Sequence, residues 1–220
     1  MARLEALPVL GTARLQQIEQ AAPGLNERQA DIAKAAVEQQ GSARRRLKVA
    51  RQLVDEFART IEPLAACRRG CAHCCHIKVE MTEIEAEQLG AAIKRRPNAK
   101  YSYMVDDVDA YNYNTPCPFL AKDHSRSIYE HRPFACRKHH NLDQDEVFCR
   151  LDVPPSFNAG VLKVRPNAAM FAYWGAMTSS KRIADIRDWF PGPAELARGP
   201  IGRIPMIRDK LEAADLESEA

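Results

Sequence analysis

The sequence predicts a mainly α-helical protein: a small, irregular helical domain organised around a cysteine cluster, with an N-terminal helical extension. Three observations predict it. Leu47, Ala50, Leu53, Val54, Phe57 and Ile61 recur at the spacing of one helix face. Thr82-Glu83-Ile84-Glu85 is a capping-box pattern that opens a further helix. All seven cysteines and all six histidines fall between residues 67 and 149, in a stretch otherwise broken by proline and asparagine.

Three segments follow from this pattern: a helical arm over 1–63, a cysteine-rich domain over 64–150, and a C-terminal helical segment over 151–220 that packs on it. In the arm, Pro23-Gly24 breaks the first helical stretch, and Asn26 is placed to cap a helix through Ile32, Ala33, Ala36 and Val37. Gly41-Ser42 is a second break, before the helix that carries the Leu47–Ile61 stripe. The capping-box helix runs through Leu89 and Ile93 and stops before Pro97. Residues 97–118 read as irregular and tyrosine-rich, and Pro154-Pro155 as a linker. Ala168–Met177 reads as a buried helix, Ile183–Phe190 as a short amphipathic one ended by Pro191-Gly192-Pro193, and 209–220 as a polar tail.

A 45% hydrophobic fraction in 220 residues is enough to bury a core. The net charge of +3 gives no whole-molecule argument for nucleic acid or an anionic membrane. Arg44-Arg45-Arg46 is the one compact basic run, and it reads as the wet face of a helix. The first ten residues carry Arg3 and Glu5 without a continuous apolar stretch, so they do not read as a secretory signal, and no later segment reads as a membrane span. The expected location is the cytoplasm. A reducing compartment disfavours structural disulfides and shifts the reading of the cysteines towards metal binding or catalysis.

Four cysteines lie within nine residues, Cys67-Arg-Arg-Gly-Cys71-Ala-His-Cys74-Cys75. Two or three intervening residues let several sulfurs converge at about 2.3 Å from one ion. On an ideal helix the four thiols would share a stripe about 100° wide. Gly70 weakens a helix there, and a tight knuckle turn is the alternative. Adjacent Cys74 and Cys75 point in different directions in either geometry, so the doublet implies two metals, or one ligand and one packed thiol. Arg68 and Arg69 are suited to offset the negative charge of a thiolate site. The remaining ligands must come from elsewhere. Cys117 stands between Pro116 and Pro118, Cys136 precedes His139 and His140, and Cys149 follows an acidic stretch. His73, His76, His124 and His131 are further imidazoles in reach of such a site, with His139 and His140 the stronger candidates.

At these residues the chain resembles the YkgJ-like cysteine-cluster family of zinc- or iron-chelating domains. The likeness rests on the Cys-x3-Cys-x2-Cys-Cys run at 67–75, on Cys117-Pro118-Phe119-Leu120, and on the IYEHRPFACR of Ile128 to Arg137. It implies metal binding at Cys67, Cys71, Cys74, Cys75, Cys117 and Cys136, with Cys149, His139 or His140 able to complete the set. It also implies a cysteine two residues before the Ile128-Tyr129 pair, where this chain has Arg126. The expected cofactor is a zinc or iron ion, or an iron–sulfur cluster, and no reaction is implied. Two alternatives accompany this reading: an iron–sulfur enzyme resembling the flagellin lysine-N-methylases, which share a similar cysteine region, and a thiol redox sensor using Cys74-Cys75 or Cys71-Cys74. The Cys67-x3-Cys71-x2-Cys74 spacing also matches radical S-adenosylmethionine enzymes, but His73 stands where an aromatic is usual. The N-terminal helices, with Arg44–Arg46, are a candidate arm for a protein partner. Replacing Cys71 or Cys74 is expected to cost metal and stability, and replacing Cys149 less.

Overall fold

A computed structural model describes residues 2–39, 41–68, 70–98, 115–150, 161–178 and 182–192. Arg69, the tyrosine-rich stretch at 99–114, the Pro154-Pro155 linker, Pro193 and the 209–220 tail lie outside the described residues.

The chain is mainly helical. Helices α1 (Ala2–Ala21), α2 (Leu25–Glu38) and α3 (Ala43–Ile61) come first. Strand β1 (Glu80–Thr82) then leads into α4 (Glu83–Ala92), followed by the one-turn helix α5 (Phe134–Arg137), α6 (Asn167–Met177), strand β2 (Ile183–Asp185) and α7 (Ile186–Trp189). No helix among the described residues is long and apolar enough to cross a membrane.

Helix α3 is the organising element. Ser42 caps it by accepting from the Arg45 N–H, and Leu47, Ala50, Leu53, Val54, Phe57 and Ile61 are all buried. Each large member of that stripe contributes roughly 1.5–3 kcal/mol by leaving water. The stripe meets Ala33 of α2 and the small face of α6, namely Ala169, Ala172 and Ala176. The close approach also explains Gly175, where a Cβ would stand 2.9 Å from Val37 Cγ2. Helix α6 is not buried all round: Phe171 is 46% and Trp174 55% exposed. Arg44 pairs with Glu87 at 2.8 Å, while Arg45 and Arg46 donate to the Gln39 side chain and the Gly41 carbonyl, so the basic run lies along a solvated face.

Two expectations are corrected. Helix α2 begins at Leu25 with Gly24 at its cap position, φ +64°, and no side chain caps it, so Asn26 is not the cap. Glycine takes that left-handed conformation without steric penalty. Ile183–Phe190 is not one amphipathic helix. Its first three residues pair antiparallel with β1, Glu80 opposite Asp185 and Thr82 opposite Ile183, and Asp185 then starts α7 in a capping box with Asp188. The capping box expected at Thr82 is present in full, with Thr82 and Glu85 each bonding the other's backbone N–H.

Glu85 is fully buried and joins three elements. It accepts from the Phe134 N–H at 2.9 Å and from the Tyr173 hydroxyl at 2.5 Å, while Phe134 and Tyr173 stack with ring centroids 4.3 Å apart. Arg137 clasps Asp55 of α3 through two bonds of 2.7 and 2.8 Å. The cysteine-bearing helix α5 is thereby fixed to α3 and α6.

Candidate metal centre

The first cysteine segment is a knuckle and not an α-helix, which corrects the helical stripe. Gly70 takes φ +87°, the Cys71 N–H donates to the Arg68 carbonyl at 3.0 Å, and His73–Cys75 forms a single 3-10 turn. Such a tight turn points successive thiols to different sides. Cys67 is held at the start of the knuckle: the Ala66 N–H donates to the Asn141 carbonyl at 2.8 Å, and the Asn141 N–H donates to Cys67 Sγ at 3.4 Å.

The other cysteines arrive on separate loops. The Cys117 N–H donates to the Cys75 carbonyl at 2.7 Å, which splices the Pro116–Pro118 turn onto the knuckle. Cys117 and Cys136 both pack against the apolar cluster of Val79, Met81, Phe119, Ile128, Trp189 and Phe190. Cys149 ends a 3-10 turn at Val147–Cys149. The Arg68 side chain pairs with Glu146 at 2.9 Å, tying that turn back to the knuckle.

The sulfurs perturb one another electrostatically across these segments. Burial pushes the Cys67, Cys71 and Cys117 thiols above their ordinary values, and Cys136 further still. Burial, then the sulfurs of Cys67, Cys71 and Cys74, push Cys149 up to about 12. A hydrogen bond to Cys75 raises Cys74 and lowers Cys75. Cys136 feels Cys117 and Cys74, and Cys75 feels Cys117. None of the seven cysteines forms a disulfide.

Arg126 stands among them. Its Nε donates to Cys75 Sγ at 3.0 Å, and its Nη2 donates to Cys74 Sγ at 3.2 Å and to the Cys71 carbonyl at 3.0 Å. Burial works against the charge, but the two sulfurs outweigh it and hold the guanidinium above its ordinary value.

Of the histidines, His139 is held neutral, lowered to about 4 by burial with Lys163, His140, Lys138 and Arg126 adding to the shift. Burial and Arg132 lower His140, whose buried Nδ1 has no hydrogen-bond partner among the described residues. His124 and His131 are exposed, and His73 and His76 flank the Cys74–Cys75 turn.

The donor chemistry fits a thiophilic ion: sulfurs on four chain segments, Cys75 buried and the others half-buried, a cation beside them, and neutral imidazole nearby. Among the described residues no three His, Cys, Asp or Glu side chains stand close enough together to hold an ion as they are. Holding an ion there would require side-chain rearrangement and loss of the thiol protons.

Arg187 is a residue that the sequence analysis did not single out. Only 1% exposed, it donates from Nη2 to the Cys75 carbonyl at 3.0 Å, from Nε to the Thr115 carbonyl at 3.0 Å and from Nη1 to Asp185 at 2.9 Å, and both terminal nitrogens reach the Ile77 carbonyl at 3.3 Å. One guanidinium thus clamps the end of the knuckle, the Cys117 turn and the β2–α7 junction. The signal available was a cation flanked by the apolar Ile186, Trp189 and Phe190.

Residues 66–151 match the model of the CxxCxxCC family, described as "Putative zinc- or iron-chelating domain". No curated protein and no solved structure matches the chain.

Proposed function

We propose, since residues 66–151 belong to this family of zinc- or iron-chelating domains, that the chain binds its metal through cysteine thiolates and that the ion staples the cysteine-bearing loops together. The candidate ligands are Cys67, Cys71, Cys74, Cys75, Cys117, Cys136 and Cys149. The observation that supports this reading is the tying of separate cysteine loops to the knuckle: the Cys117 N–H donates to the Cys75 carbonyl at 2.7 Å, and the Arg68–Glu146 pair holds the turn that ends at Cys149.

A bound ion supplies two things: charge that stabilises thiolates in a buried site, and cross-links between loops of little regular structure. The chain's own residues do the rest. Arg126 offsets thiolate charge by donating to two sulfurs, Arg187 fixes the backbone at Cys75 and Thr115, and Asn141 aligns Cys67. Metal binding then contributes to folding free energy, because the ion binds the folded arrangement of the loops and not the unfolded chain.

Purification under reducing, anaerobic conditions followed by metal analysis of the folded chain tests the reading. At least one zinc or iron ion per chain is expected, with loss of metal in Cys71→Ser. A chain that is folded and free of metal under those conditions refutes it. An absorption band bleached by dithionite would assign an iron–sulfur cluster, and a colourless loaded protein would assign zinc.

A further inference from the structure

Four cations crowd one face of α3. Arg44, Arg45, Lys48 and Arg51 line an open groove, with Gln88 of α4 on its other side. Arg44 and Arg45 stand four and three positions before Lys48, and Arg51 stands three after it. Residues at those spacings are neighbours on a helix surface, and like charges there repel. The first turn of α3 carries no acidic residue, so its arginines also oppose the helix dipole. Helix stability alone would favour the reverse, with acidic side chains in that turn.

The groove does little to offset this charge. Asp55, the carboxylate among its described lining residues, is held by Arg137 through two bonds of 2.7 and 2.8 Å. Arg44 has Glu87 at 2.8 Å, but both side chains are exposed, and water weakens such a pair. Lys48 is exposed and pairs with no carboxylate among the described residues. Arg51 is the most enclosed of the four. It donates to Gln88 at 2.6 Å and reaches Glu85 only at 3.7 Å, and its buried Nε has no hydrogen-bond partner among the described residues. Burial, with Arg137 adding to it, outweighs Glu85 and lowers Arg51 below its ordinary value. The cations are thus held together at a cost to the helix and left short of negative charge.

We propose that this groove is a docking surface for an acidic segment of a protein partner, whose Asp and Glu carboxylates pair with Arg44, Arg45, Lys48 and Arg51. From Arg44 to Arg51 the helix advances about 11 Å. An extended peptide rises about 3.3 Å per residue with alternate side chains on one side, so two or three acidic residues at alternate positions cover the four cations. The described lining has no aromatic ring to stack a nucleobase and no apolar side chain to enter a bilayer. The net charge of +3 adds no wider field for a polyanion. A carboxylate-bearing peptide is the occupant that remains. The surface goes beyond the metal reading, since none of its cations is a candidate ligand.

Fluorescence anisotropy of a labelled peptide of alternating glutamate and serine, titrated with the full chain, tests the proposal. Saturable binding that weakens with added salt is expected. Arg45→Glu/Lys48→Glu is expected to lose about tenfold or more in affinity. That double variant relieves the crowding and places an acid in the first turn, so it should melt no lower than wild type, which separates docking from a structural role. Lys34→Glu/Lys122→Glu changes the net charge equally outside the groove and should keep the affinity within about twofold. No saturable binding of the peptide, an equal loss in the two double variants, or a labelled single-stranded oligonucleotide bound more tightly than the peptide overturns the proposal.

Discussion

Arg187→Met is the substitution whose cost can be worked most directly from the geometry. Methionine has a similar reach but no donors. The Cys75 carbonyl keeps its bond from the Cys117 N–H, and Asp185 keeps those from the Arg187 and Val79 N–H groups. The Thr115 and Ile77 carbonyls lose the donors they take from this side chain. Each buried group left unsatisfied costs about 1–3 kcal/mol. Asp185, whose side chain is fully buried, also loses its ion-pair partner, and breaking such a pair costs about 3–5 kcal/mol. These terms overlap, so the expected net loss is about 4–5 kcal/mol, near the upper end for a single substitution. At roughly 2–4 °C per kcal/mol for a chain of this size, Tm should fall by more than 8 °C. Arg187→Lys keeps the charge near Asp185 and loses the fork, so it should cost roughly half as much. Chemical denaturation of the metal-free and loaded forms measures both. A loss below about 1 kcal/mol for Arg187→Met would refute the claim that this guanidinium ties the cysteine loops together.

Gly175→Ala should destabilise by about 1–3 kcal/mol through the clash with Val37, and a thermal melt equal to wild type would contradict that. Metal affinity should weaken as pH falls, because the raised thiols of Cys67, Cys71 and Cys149 must release protons to bind; competition titrations with a chelator at several pH values would expose a flat dependence. His139 is lowered to about 4 from 6.5, so the unfolded chain takes up that proton first. Its contribution to stability is whole above pH 6.5 and is lost as pH falls towards 4; a His139→Gln variant should lack that part of the acid-side slope, and one with the wild-type slope would show that another group is responsible. Tyr173 is raised by burial and by Glu85, so its contribution is present below the ordinary tyrosine value and is lost as pH rises above it. Tyr173→Phe should flatten that alkaline slope, measured by denaturation of the metal-free chain.

The parts of the fold readable in sequence are those fixed by neighbours in the chain. All six residues of the α3 stripe are buried, and the Thr82–Glu85 box closes as its spacing requires, because helical periodicity and capping act over three or four positions. β2 is three residues long, too short to show an alternating pattern, and it exists because Glu80–Thr82 offers it a partner about a hundred positions away. The knuckle at 67–75 depends on Gly70 at positive φ, so cysteine spacing alone left helix and turn both open. The roles of Arg126 and Arg187 rest on contacts across 51 and 112 positions, which no local pattern encodes. Arg126 was visible in sequence only as a mismatch to a family pattern, and the structure turns that mismatch into a cation facing two sulfurs.

The central claim is that thiolates hold the ion, and X-ray absorption at the metal edge of the loaded, anaerobic chain tests it most directly. The account predicts a shell of sulfur at about 2.3 Å with close to four scatterers per ion. A shell of nitrogen and oxygen alone, with no sulfur contribution, would contradict it.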